Sequence, residues 1–323
     1  RSTGSPAASR CCASERSRRL TAAGPATRWQ QTLVATLQAT PGALDDPAAR
    51  DGPMAWTAIG RNASVSVWSL AIGASRFFVK AAAPEQADML SAEVEALAAL
   101  REAQAVRVPQ VYANARAEDA AFLALEWLDL ADGGRDAVLG RALAALHATA
   151  GTRFGWHRDN HIGMTPQRNG WSDDWAGFFR DHRLAPQLAL AERHGHGGRL
   201  ARDGKRLLAR VPALLAGHAP APSLLHGDLW AGNAGRLADG TPVVFDPATY
   251  YGDRETDLAM TELFGGFTPD FYAAYAEAAP LPPGFPLRRT LYNCYHVLNH
   301  LNLFGASYLA RAEAMVAELA AAR

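Results

Sequence analysis

Residues 224–257, LLHGDLWAGNAGRLADGTPVVFDPATYYGDRETD, constrain this chain more than any other stretch. Asp228 follows His226 by two positions, Asn233 follows Asp228 by five, and Asp246 stands directly after the apolar run Val243-Val244-Phe245. The segment between them, GRLADGTP (235–242), reads as a hairpin turn, which brings Asn233 and Asp246 face to face. Taken singly, each feature has an ordinary explanation. An H-G-D is often a turn whose aspartate caps a helix, and an aspartate between a short apolar strand and a proline often only ends the strand.

The joint spacing says more than its parts. H-x-D-x-x-x-x-N followed by a strand-borne aspartate is the arrangement that kinase-like phosphotransferases use. Moving a γ-phosphoryl group requires metal ions to neutralise the developing charge and a carboxylate to take the proton of the attacking hydroxyl. Asp228 suits the proton-accepting role. Asn233 and Asp246 offer hard oxygen ligands from two segments, which suits Mg²⁺, an ion that keeps several waters and borrows few protein ligands.

The remaining chemistry is read relative to this stretch. With 323 residues, 49% hydrophobic and 20% charged, the chain is long enough for two lobes with a cleft between them. Its formal net charge of zero gives no basic field for nucleic acid or an anionic membrane. No apolar run approaches the roughly 20 residues that span a bilayer. Cys11, Cys12 and Cys294 cannot make a disulfide framework, so a reducing cytoplasm fits best, with Cys294 a packed small hydrophobe. Of 32 basic residues only Lys80 and Lys205 are lysines.

Residues 1–27, rich in Ser, Ala and Arg and lacking apolar periodicity, are expected to be disordered; their composition resembles an organelle transit peptide, but an expression or start-site extension is the favoured reading. Trp29–Leu37 has helical spacing. Ala55–Leu70 reads as a strand entering from a turn at Gly60, the position of a phosphate-covering hairpin or of a plain one. Arg76–Lys80 is a buried-looking strand ending in Lys80, where a kinase lobe places the compact ammonium that grips the α- and β-phosphates. In the following helix, 85–102, Glu93 falls inside the stripe of Leu90, Val94, Leu97 and Leu100, while Glu95 points to the opposite side. A carboxylate aimed inward needs a partner, and Lys80 is the candidate. Val106–Ala113 and Ala120–Leu130 read as two more strands, the second turning polar at Glu126, where a connector between lobes would offer backbone groups to an adenine ring.

Beyond it the pattern is helical at 136–147, 175–194, 198–215, 257–264, 270–278, 287–304 and 308–322. His147 reads as a satisfied core or cap histidine. His296 and His300 are four apart but have no third ligand in reach, so packing or hydrogen bonding is favoured over a metal pair. The loop 154–175 carries Trp156, Trp171 and Trp175, aromatic faces that would suit a polyhydroxylated substrate.

LLHGDLWAGN, VVFDPATYYGDRETDLAM, FGGF (264–267), NGWSDDW (169–175) and NHLNLFG (299–305) together resemble the fructosamine-3-kinase family, the ketosamine kinases, from about Trp29 to Phe304. The resemblance implies an α+β, two-lobed protein-kinase-like fold of the aminoglycoside phosphotransferase type. Residues 28–126 would form an N-terminal lobe, an antiparallel sheet with one helix, that binds ATP; residues 127–323 would form a larger, mainly helical lobe for catalysis and substrate. It implies Mg-ATP-dependent phosphorylation of the sugar 3-hydroxyl of ribulosamine or fructosamine adducts of lysine, free or on glycated proteins, and deglycation when the unstable product sheds its sugar. Carried over by motif, Asp228 is the base, Asn233 and Asp246 the metal ligands, Lys80 with Glu93 the phosphate grip, and Glu126, Trp127 and Leu128 the adenine-facing connector, with Trp230 lining the acceptor pocket. The loop after Gly60, Arg-Asn-Ala-Ser, is poorer in glycine than the family's and lacks the cysteine some members carry, so no redox switching is expected there. DPA in place of DFG implies no activation-loop switching. Two other readings stay open: a kinase of the same fold for another alcohol, such as an aminoglycoside recognised by Asp159, Asp173 and Asp174, or choline; and a non-catalytic nucleotide-binding relative.

Overall fold

The computed structural model describes residues 26–44, 52–61 and 64–322. The expectation for residues 1–25 lies outside these. Thr27 caps α1 (Arg28–Ala39) through a capping box with Gln30. A five-stranded antiparallel sheet follows, built from β1 (Met54–Arg61), β2 (Val65–Ile72), β3 (Ser75–Ala82), β4 (Val111–Arg116) and β5 (Ala121–Glu126) in the order β1-β2-β3-β5-β4. The helix α2 (Ala87–Glu102) connects β3 to β4.

Both faces of this sheet are covered, which explains why β3 and β5 read as nearly continuous apolar runs. Leu70, Phe77, Val79, Phe122 and Ala124 pack with Trp29, Leu33 and Leu37 of α1. Phe78, Ala82, Leu123 and Leu125, one residue out of step, join Leu90, Leu97 and Leu100 of α2 in the main core. Lys80 pairs in register with Val67 and Leu123, so it stands on the α2 face and not the α1 face. The expected alternation in β2 fails at Ser69, which is buried and accepts a hydrogen bond from Arg76 Nε at 3.0 Å.

The strand expected at 106–113 begins later, at Val111, because the preceding residues are used elsewhere. The Arg107 carbonyl accepts the Val244 N–H at 2.9 Å, and Pro109 has no N–H to offer a ladder. The strand expected to run to Leu130 stops at Glu126, and the chain resumes as β6 (Leu130–Ala131), which pairs with a hairpin of the helical part.

That part comprises α3 (Ala137–His147), the short hairpin β7 (Asn160–Ile162) and β8 (Thr165–Gln167), α4 (Trp175–Phe178), α5 (Ala185–Arg193) and α6 (Arg199–Leu214). It continues with β9 (Ser223–Leu224), β10 (Ala234–Leu237), β11 (Pro242–Val244), β12 (Tyr251–Gly252), α7 (Glu255–Leu263), α8 (Pro269–Ala278), α9 (Phe285–Phe304) and α10 (Leu309–Ala321). Helices α4 and α5 are one rod joined by a π-helical turn, Phe179–Leu184. Inside that turn Arg183 is fully buried, with its guanidinium 4.0 Å from the Tyr250 ring centroid and 2.7 Å from Asn169 Oδ1. The architecture is α+β and two-lobed, an antiparallel sheet lobe against a mainly helical one. Among the described residues no helix is long and apolar enough to cross a membrane.

Candidate active site

The loop 225–233 between β9 and β10 carries Asp228, and its shape is set by buried polar contacts. His226 is fully buried. Its Nε2 lies 3.0 Å from the Phe245 carbonyl and its Nδ1 accepts the Asp228 N–H at 3.3 Å, so the imidazole is a neutral clip with one donor and one acceptor in use. Burial lowers its pKa, which keeps that tautomer uncharged. Asp257 of α7 accepts the N–H of His226 at 2.7 Å and of Gly227 at 2.9 Å. Gly227 has φ +86°, and a Cβ there would lie 2.1 Å from the Ala248 carbonyl oxygen, so only glycine lets the loop pass.

Among the described residues no hydrogen bond engages the Asp228 carboxylate, and it lines the main cleft. Burial, with the like charges of Asp246 and Asp257 behind it, pushes its pKa up to about 7. Asn233 lies one residue before β10. Ala234 pairs with Val244 across the β10–β11 hairpin, so Asn233 and Asp246 flank it as the sequence predicts. The Asn233 amide nitrogen donates to the Asp228 carbonyl at 2.9 Å and to the Asp246 carbonyl at 3.4 Å. With its donor spent on backbone, the amide presents its oxygen as the outward group. Asp246 adopts φ +56°, a left-handed conformation uncommon outside glycine.

The expected Lys80–Glu93 pair is formed. Lys80 Nζ is 2.7 Å from both Glu93 oxygens and 2.7 Å from Asp246 Oδ1. Burial alone would lower the Lys80 pKa, but the charges of Asp246 and Glu93 hold it above the ordinary lysine value, so the ammonium stays charged. The pair therefore links the sheet, α2 and the β10–β11 hairpin at one point.

Two cavities meet at Asp246. A small apolar one is lined by Phe78, Pro109, Leu125, Glu126, Leu128 and Phe245. The main cleft, about 240 Å³, takes in Val65, Val67, Lys80, Glu93, Asp228, Trp230 and Asn233. Several expected residues are placed differently. Gly60 sits within β1 at a register shift and does not line the cleft; Val65 and Val67 of β2 do. The Glu126 side chain turns away to Arg107 Nη2 (2.5 Å) and the Gln110 N–H (3.0 Å), bracing the connector. The Trp127 ring lies under Arg76, 3.6 Å from its guanidinium carbon, and is not part of the small cavity's lining.

The tryptophans of the 154–175 loop do not line the cleft either. Trp156 and Trp175 are buried, the latter packed on Phe178 and Tyr292, and Trp171 is exposed near Tyr251. The acids of that loop are used locally. Asp159 accepts the Asn169 N–H, Asp173 pairs with Arg153, and Asp174 caps α4. His147 is a satisfied core histidine, as expected. The His300 Nδ1 bonds the His296 carbonyl at 2.8 Å and its ring packs on Phe264, so the two rings hold no metal pair geometry. His218, Asp253 and Glu255 also converge, but Arg288 takes both Glu255 oxygens and Tyr292 and His218 take Asp253. Burial pushes the Cys294 thiol up to about 12, in keeping with a packed hydrophobe.

Sequence reasoning passed over three residues. Asp257 is hidden in a helix, DRETDLAM, whose polar residues are themselves buried, so no amphipathic signal marks it. Glu95 does not face solvent alone: Arg158 Nη1 and His157 Nε2 each reach it at 2.7 Å from the other lobe. His161 of β7 lines the cleft, though nothing in its local sequence distinguishes it from a loop histidine.

Comparison with known proteins agrees with this geometry. The profile of the fructosamine kinase family matches residues 57–322. The chain is 46% identical over 252 residues to a probable ketoamine kinase of Synechocystis, covering 77% of this chain and 84% of that protein. It is 38% identical over 247 residues to a chloroplastic protein-ribulosamine 3-kinase of Oryza sativa subsp. indica, covering 75% and 72%. The crystal structure of a candidate fructosamine-3-kinase from Haemophilus somnus superposes with TM-score 0.80 at 27% identity, covering 89% of this chain and 96% of that one. An ADP-bound aminoglycoside phosphotransferase shares the fold alone, at TM-score 0.55 and 11% identity. The chain belongs to the fructosamine kinase family, phosphotransferases with an alcohol group as acceptor.

Proposed function

We propose that this chain uses Mg-ATP to phosphorylate the sugar 3-hydroxyl of ketosamines, ribulosamine or fructosamine adducts of lysine, so that the product sheds its sugar and the amine is deglycated. The observation that carries the reading is Asp228, a carboxylate without a hydrogen bond from a described residue, sharing one cleft with Lys80, Asn233 and Asp246. In this reading residues 28–126 are the nucleotide lobe and 127–323 the catalytic and acceptor lobe. The apolar cavity of Phe78, Leu125, Leu128 and Phe245 takes the adenine, with the backbone of 126–128 as its polar edge. Lys80, oriented by Glu93, grips the phosphates.

The donor set fits Mg²⁺: Asn233 turns an oxygen outward, and Asp246 is a carboxylate held in an unusual backbone conformation beside it. When bound, the ion neutralises charge on the transferring phosphoryl group. Asp228 accepts the proton of the acceptor hydroxyl, and its raised pKa makes it a better base than an exposed carboxylate. Trp230, whose ring covers Gly232, offers an apolar face beside it; a Cβ on Gly232 would sit 2.1 Å from that ring. The lining disfavours a polycationic aminoglycoside, because its acids, Glu93, Asp228 and Asp246, all belong to the phosphate machinery. Glycated proteins are the larger acceptors this reading allows.

The test is ADP release with Mg-ATP and ribuloselysine, fructoselysine, ribose or kanamycin, with Asp228→Asn as the blank. Turnover on the ketosamines that drops by about 10²–10⁴ in the variant is expected. Transfer to kanamycin alone, or near-normal turnover by Asp228→Asn, would refute the reading.

A further inference from the structure

The hairpin β7–β8 turns through Gly163 and Met164 at the edge of the cleft. Asn160 and Ile162 are buried, so His161 between them faces the other way, and it lines the same cavity as Asp228 and Trp230. The hairpin is fixed to the segment just after Asp246. Asn160 Nδ2 donates to the Thr249 carbonyl at 2.8 Å, and Gln167 Nε2 donates to the Ala248 carbonyl at 3.1 Å. Asn169 Nδ2 donates to Asn160 Oδ1 at 2.8 Å and is held in turn by Arg183. His161 is therefore carried on a rigid mount tied to the reacting region, not on a free loop.

Among the described residues, His161, His182 and His296 each have a buried Nδ1 with no hydrogen-bond partner, and of these His161 lines the cleft. The apolar cavity proposed for the adenine shares Asp246 with the cleft but does not include His161. The cleft lining also includes Met89, Met164, Leu303 and Phe304, and the charges of Asp88, Asp159 and Arg158 lie near enough to act on the His161 ring. The neighbouring amide of Asn160 is already spent. A hydroxyl brought to this part of the cleft can take the imidazole as a polar partner.

We propose that His161 is a specificity-determining contact for the acceptor, its imidazole hydrogen-bonding a hydroxyl of a polyhydroxylated substrate and setting which hydroxyl faces Asp228. This rests on the function proposed above and deepens it. Burial, opposed by Asp88 and Asp159 and assisted by Arg158, lowers the ring's pKa, so at neutral pH the imidazole is uncharged and its nitrogen toward the cleft can serve as either the donor or the acceptor that an alcohol matches.

The experiment is ADP release by wild type, His161→Leu and His161→Gln, titrating acceptor and ATP separately. His161→Leu should raise the acceptor KM by about three- to tenfold, the worth of one neutral hydrogen bond, and leave the ATP KM within about twofold. His161→Gln, which restores both a donor and an acceptor, should recover most of the loss. An unchanged acceptor KM in His161→Leu overturns the proposal. So does a parallel rise in the ATP KM, which marks a structural role. Should the wild type ignore ketosamines and phosphorylate kanamycin, the substrate assignment fails by itself, and the same comparison on kanamycin decides the role of His161 by the same criteria.

Discussion

Replacing Asp257 by Asn tests whether the loop that carries Asp228 is held from behind. Three donors converge on the Asp257 carboxylate: the N–H groups of His226 and Gly227, and His147 Nε2 at 3.1 Å. The proton order follows from the chain of partners. Arg254 donates to the Tyr275 hydroxyl at 3.0 Å, the hydroxyl hydrogen then serves His147 Nδ1 at 2.8 Å, and the proton on Nε2 points to Asp257. Burial alone would raise the Asp257 pKa, but the hydrogen bonds of His147 and Gly227 and the nearby histidines hold it below the ordinary range. An asparagine keeps the volume and one acceptor, yet sets an NH₂ against a donor where an oxygen was. At about 1–3 kcal/mol for each buried group left unpaired, the loss should be about 2–4 kcal/mol in urea unfolding. Because Asp228 directly follows Gly227, a shift of about 1 Å in the loop should also lower kcat by about 10²-fold. The ATP KM should change little, since Lys80 and Glu93 touch neither loop residue. Stability within about 0.5 kcal/mol of wild type together with unchanged kcat would refute the reasoning.

Gly227→Ala should cost more than the roughly 1–2 kcal/mol of a left-handed alanine, because its Cβ would meet the Ala248 carbonyl oxygen at 2.1 Å; thermal unfolding and kcat should fall together, and a native melting temperature would refute it. His296 is buried, with its pKa pushed down from 6.5 to about 3. The unfolded chain binds that proton first, so stability present at pH 7 is lost as pH falls below about 6.5, by about 2 kcal/mol at pH 5. His296→Leu should flatten this part of the urea-derived pH profile, and an identical slope in the variant would exclude the assignment.

The readable part of the site was local. Asn233 and Asp246 are joined by a short hairpin whose register turn chemistry sets, and Glu93 reveals itself as a charged residue inside a helical apolar stripe. Lys80 stands out at the end of an apolar strand. The unreadable part depends on what another segment brings. Trp156, Trp171 and Trp175 look like a sugar platform until the helices that bury two of them are known. Glu126 lines the small cavity as part of the connector, but its carboxylate is turned away by Arg107 from 19 residues earlier, a contact the local sequence does not show. Asp257 looks like an ordinary helical acid because α7 is surrounded on all sides, which removes the polar face that periodicity needs.

Glu93 and Glu95 show how the same helix can be read correctly at one position and incompletely two residues later. Their side chains leave α2 about 200° apart. Glu93 meets Lys80 and, through it, Asp246. Glu95 meets Arg158 and His157, and Arg158 also reaches Asp88, about two turns earlier on the same helical face. Exposed pairs of this kind contribute at most about 1 kcal/mol each, so their importance is geometric. In protein kinases, positioning of the equivalent helix is controlled by a phosphorylated activation loop. Here α2 is tied on one side to Lys80 and on the other to Arg158 and His157 of the helical lobe. Because Lys80 also holds Asp246 at 2.7 Å, a shift of α2 would have to break contacts on both of its faces, and the placement of the helix is coupled to the segment that carries Asp246.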